Sequence, residues 1–123
     1  MVGKRIFMVD TGPGSANNLS LWGFPMERTT GVLLTHFHSD HIGDLGEFRM
    51  LTWTAGRFSP LPVYGPDGVD KVVAGFNLAY QADDDYRGTL HGLPSLMRHW
   101  LRIRSGWRAP PNGSSIRRRR RAR

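Results

Sequence analysis

The 123 residues include 17 Lys/Arg, 10 Asp/Glu, 5 His and no Cys, so disulfides and thiolate metal sites are excluded and any metal must be held by nitrogen and oxygen. The formal charge of +7 is uneven: residues 1–97 carry seven basic and ten acidic side chains (−3), and residues 98–123 carry ten Arg and no acid (+10). That split sends any search for nucleic-acid contact to the tail, and no apolar run reaches the roughly 20 residues of a membrane span.

The first apolar run, "IFMV" at Ile6–Val9, is short and has no small-residue cleavage site after it. An export signal is not expected there, and a cytoplasmic location is. Four consecutive apolar residues followed by Gly/Pro punctuation predict a buried strand, with Asp10 at its carboxyl end, where layered α/β folds place functional groups. "SANNLSLWGF" predicts a short helical turn with Leu19 and Trp22 inward, limited by Gly23 and Pro25. "VLLT", Val32–Thr35, predicts a second strand. Beyond it Ile42, Leu45, Phe48, Leu51 or Thr52, and Ala55 recur at helical spacing, with Gly56 as a stop.

A third strand is expected at Pro62–Tyr64. A helix should follow, carrying Val69, Val72, Val73, Phe76 and Tyr80 on one face. Asp83, Asp84 and Asp85 read as a solvated helix end. Strand, loop, helix, strand, helix is an α/β order, with helices covering a sheet. The text changes after Arg87, which divides the chain into a domain at 1–87 and a poorly specified, Arg-rich tail at 88–123. Leu93, Leu96, Trp100 and Ile103 allow one short helix there, and the end is expected to be disordered.

The chemistry concentrates in "THFHSDHIGDL", Thr35–Leu45. In extended chain, side chains two apart share a side, so His36 and His38 can meet at one point. Asp40 and His41 follow the turn into the helix and can reach a second point nearby. Asp40 also stands where a helix N-cap would. Imidazole with carboxylate suits Zn²⁺, Mn²⁺ or Fe.

His-x-His-x-Asp-His after an apolar strand resembles the metal motif of the metallo-β-lactamase superfamily. The wider text "VDTGPGSANNL…VLLTHFHSDHIGDLGEF" is similar to its ribonuclease Z and arylsulfatase-like branch. The resemblance implies about half of an αββα sandwich, spanning roughly Arg5 to Arg87. It implies a two-metal site in the complete domain, with His36 and His38 on one ion and Asp40 and His41 on the other. Asp10 would support the metal loop from behind. A metal-activated hydroxide would attack an ester or phosphodiester, with Asp40 orienting the water or taking up its proton. Small-molecule or phosphodiester substrates and a homodimer are the implied partners, with no membrane.

The family pattern also calls for a later histidine, a bridging aspartate and a final histidine. His91, in "TLHG", is the weak candidate for one of these, and His99 is weaker still. The shift in character after Arg87 fits a truncated or altered-frame version of a longer hydrolase. Two other readings stand beside the hydrolase. One is an inactive fragment with residual metal binding; the other is a nucleic-acid-binding module driven by "RRRRRAR", through phosphate contacts.

Overall fold

The structure is a computed structural model and describes residues 3–91 and 101–103. Its four strands are β1 (Ile6–Val9), β2 (Thr29–Leu33), β3 (Leu61–Tyr64) and β4 (Leu101–Ile103). They form one parallel sheet in the order β1-β2-β3-β4. Each connection between parallel strands must cross over, and helices do so here. α1 (Ser15–Leu21) and a 3-10 turn (Met26–Arg28) join β1 to β2. α2 (Ser39–Ile42) and α3 (Leu45–Thr54) join β2 to β3, and α4 (Val69–Ala79) and α5 (Gln81–His91) lead from β3 towards β4. The expected α/β architecture is present.

One sheet face holds the core. Val32 pairs in register with Met8 and Val63, and this row packs with Leu34, Leu45, Phe48, Leu61 and Val73. Each fully buried large apolar side chain in such a cluster contributes about 1.5–3 kcal/mol. The opposite face carries Phe7, Val9, Leu33 and Tyr64. Phe7 and Tyr64 meet edge to face over Gly31, whose missing Cβ leaves room for both rings. Val9 is 59% exposed on that face.

Several expectations shift. β2 runs Thr29–Leu33 rather than Val32–Thr35: it starts three residues before the apolar run because Ile6 pairs with Thr29 and the Ile6 amide donates to the Thr30 hydroxyl, and Leu34 and Thr35 lie beyond its end. Trp22 is not inward: α1 ends at Leu21, the chain turns at Gly23 (φ 72°), and Trp22 is 78% exposed. The long helix expected after the histidine motif is two helices, broken at Gly43–Asp44. Asp44 leaves its own helix uncapped and accepts from the Ala16 amide at the start of α1 instead. Ala55 is exposed, whereas Arg49, Met50 and Trp53 are buried.

Asp84 is not simply a solvated helix end, since it pairs with buried Arg49. Ile103 lies in a strand, not a helix. Leu93, Leu96, Trp100, His99 and the Arg-rich end lie outside the described residues. No helix among the described residues is long and apolar enough to cross a membrane.

Candidate functional site

The site forms where β1 and β2 end side by side. Asp10 follows β1 directly with φ 57°, the left-handed region that few residues other than glycine enter. This turn brings its carboxylate across to the end of β2. One oxygen, Oδ1, accepts the Thr35 amide at 2.8 Å; Oδ2 accepts the Thr35 hydroxyl at 2.7 Å and meets His41 Nδ1 at 2.8 Å. Burial pushes the Asp10 carboxyl up, but the Thr35 amide, the His41 ring and the Thr35 hydroxyl outweigh it and hold the group below its ordinary range.

The backbone repeats the stitch. Buried Thr11 donates its amide to the His41 carbonyl at 2.7 Å and accepts the Asp44 amide at 2.9 Å. Gly12 lies so close that a Cβ would stand 2.5 Å from the Asp40 carbonyl oxygen, and a Cβ on Gly43 would meet the Ser39 carbonyl at 2.8 Å. Phe37 packs against the core and rests against Gly65 and Gly68 in the loop after β3. The loop is thus fixed from both flanks.

Three imidazoles gather on it. The rings of His36 and His41 lie 4.0 Å apart between centroids, and those of His36 and His38 lie 4.8 Å apart. His36 is therefore nearer to His41 than to its expected partner, His38. Asp40 is 76% exposed at its side chain, and its Oδ2 lies 3.6 Å from His41 Nε2. It is not the helix cap: His38 takes the N-cap position of α2, and Asp40 sits in the first turn.

Imidazole and carboxylate are the donors a borderline divalent ion takes, so the chemistry of this set fits such a metal. Among the described residues, however, no three His, Asp or Glu side chains converge on a single ion position. His91 closes α5, and its side chain lies outside what the structure describes.

The sequence profile of the Metallo-beta-lactamase superfamily matches residues 2–76. The chain belongs to this superfamily. It is also similar to the Ribonuclease Z of Mycolicibacterium gilvum, 37% identical over 92 residues, covering 72% of this chain and 32% of the relative. The Ribonuclease Z of Mycolicibacterium paratuberculosis is 37% identical over 93 residues, covering 72% and 33%. The chain thus spans about a third of the length of these curated relatives. Among solved structures, it resembles the metallo-beta-lactamase fold protein YhfI from Bacillus subtilis, with a TM-score of 0.49 and 24% identity over 92% of this chain and 38% of that one. It is a partial metallo-β-lactamase domain.

Thr35 and Thr11 carry much of this site's order, and neither stood out in the sequence beyond its place beside a histidine motif and an aspartate. Their partners are 25 to 33 residues away along the chain.

Proposed function

We propose that this chain carries the metal-holding loop of a metal-dependent hydrolase acting on ester bonds, with phosphodiesters as the favoured class. In this reading His36, His38, Asp40 and His41 are the ligands and Asp10 is the anchor that orients them. The observation behind it is the clustering of three imidazoles within 4.0 and 4.8 Å beside an aspartate already bonded to one of them. The Ribonuclease Z relatives favour a phosphodiester.

A bound divalent cation, zinc above Mn²⁺ or Fe, supplies Lewis acidity to the reacting ester. The side chains do the rest. His36 and His38 would hold one ion through ring nitrogens and His41 with Asp40 a second, and exposed Asp40 would take up a proton from the attacking water at its carboxylate. Asp10 keeps the His41 ring from turning.

Dialysis of the purified full chain against Zn²⁺, followed by metal analysis, tests the reading. Bound zinc that is lost in the combined His36→Ala, His38→Ala and His41→Ala variant is expected. Zinc content equal in the two proteins would overturn it. Turnover of a simple phosphodiester with added Zn²⁺ or Mn²⁺ then separates a working hydrolase from a fragment that only binds metal.

A further inference from the structure

Four atoms make a continuous hydrogen-bonded line at the end of the sheet. His36 Nδ1 lies 2.9 Å from the Thr35 hydroxyl oxygen, which lies 2.7 Å from Asp10 Oδ2, which lies 2.8 Å from His41 Nδ1. A hydroxyl has one hydrogen to give, and an ionised carboxylate has none. If the Thr35 hydrogen turned to His36, lone pairs of Oγ and Oδ2 would face each other across 2.7 Å beside a negative charge. The hydrogen therefore goes to Asp10, and the contact to His36 needs a hydrogen from the ring. Both lines end on Asp10: His36 Nδ1–H to Thr35 to Asp10, and His41 Nδ1–H to Asp10.

We propose that Thr35 is a positioning residue that fixes the tautomer of His36, so that one carboxylate sets two imidazoles, His41 directly and His36 through a hydroxyl relay. Each ring then carries its lone pair on Nε2. At His41 this lone pair stands 3.6 Å from Asp40 Oδ2, so two electron-pair donors face each other where a cation can reach both. The partial charge of Asp10 passes to both rings and makes them better donors. The inference rests on the proposed metal reading for its purpose, but the tautomer itself does not.

Long-range proton–nitrogen spectra of the ¹⁵N-labelled, metal-free full chain read the tautomers directly. His36 and His41 should both show a protonated Nδ1 and a bare Nε2. Thr35→Ser should keep this pattern. Thr35→Val, similar in size and without the hydroxyl, should release His36 to an Nε2–H form while His41 keeps its own. Zinc titration against a chromophoric chelator should show affinity falling roughly 10–100-fold in Thr35→Val and staying near wild type in Thr35→Ser.

A His36 with protonated Nε2 in the wild type, or one unchanged in Thr35→Val, would overturn the relay. The Nδ1–H tautomer of His36 lost as expected in Thr35→Val, in proteins that take up no zinc, would support the relay and overturn the metal reading instead.

Discussion

The Arg49 guanidinium, 1% exposed within α3, grips both carboxylate oxygens of Asp84 on α5 at 3.1 and 2.9 Å. The Tyr80 ring lies against it, 5.2 Å from centroid to guanidinium carbon. The pair ties α3, the helix behind the histidine loop, to α5. The two ends are not equivalent. A guanidinium keeps its charge whatever happens to its partner, whereas a carboxyl can take up a proton. Asp84→Ala, which leaves the buried cation without its carboxylate, should cost about 3–5 kcal/mol. Arg49→Met should cost less, about 1–3 kcal/mol, because Asp84 can neutralise. Urea unfolding of both variants checks the order; equal losses would contradict it.

The same carboxylate has a pH signature. Burial pushes Asp84 above its ordinary 3.8, Arg49 pulls it back only in part, and Asp83 and Asp85 add to the rise. The folded chain then holds this proton to higher pH than the unfolded chain does. Between 3.8 and the raised folded value the folded state binds more protons, so stability falls as pH rises through that window and is level above it. Wild type should therefore lose stability relative to Asp84→Asn as pH increases from below 3.8 towards neutrality. Unfolding curves in which the wild type gains on the variant over that range would reverse the sign.

Gly46 is set by a close approach. An added Cβ would stand 2.1 Å from the Tyr80 ring, while alanine is normally worth about 1 kcal/mol over glycine inside a helix. Overpacking against a ring costs about 1–3 kcal/mol, so Gly46→Ala should be neutral to destabilising despite the better helix former. The double variant with Tyr80→Ala should recover the helix gain, and a double-mutant cycle measures the coupling. Additive effects would show that the ring moves aside freely.

Gly12→Ala acts on the site and not on the core. Its methyl would meet the Asp40 carbonyl oxygen at 2.5 Å, and two backbone segments must part to admit it. A stability loss of about 1–3 kcal/mol is expected, together with weaker zinc binding in the chelator competition. Unchanged zinc affinity in a destabilised protein would separate the β1–α1 loop from the histidine loop.

Zinc itself should stabilise the chain by mass action, about 2.7 kcal/mol at a hundredfold excess over its dissociation constant. A thermal melt with Zn²⁺, then with a chelator, should rise and return. A melt indifferent to both would count against the histidine cluster as a ligand set.

The sequence made some of this legible, and distance along the chain hid the rest. β1 was readable as a strand because four consecutive apolar residues leave little alternative, although only Ile6 of it is buried, and the face of α4 followed from three- and four-residue spacing; α3 did not follow its spacing, being buried on more than one side. The true start of β2 was hidden because Thr29 and Thr30 are polar, yet they are β-branched and suit a strand. The break at Asp44 was hidden because its carboxylate serves α1, 28 residues back. The buried Arg49 could not be foreseen without Asp84, 35 residues ahead. At the site, the four clustered residues were visible as a motif, whereas the closer pairing of His36 with His41 and the role of Thr35 depend on where two strands happen to end together.

Asp10 bends where glycine would rest more easily. Relaxing that bend with Asp10→Gly would also delete the carboxylate on which three hydrogen bonds converge, and bonds to a charged acceptor outweigh the relief of one strained residue. A laboratory selection that rewarded heat resistance alone should therefore retain Asp10, and so would guard the histidine loop without ever asking it for chemistry.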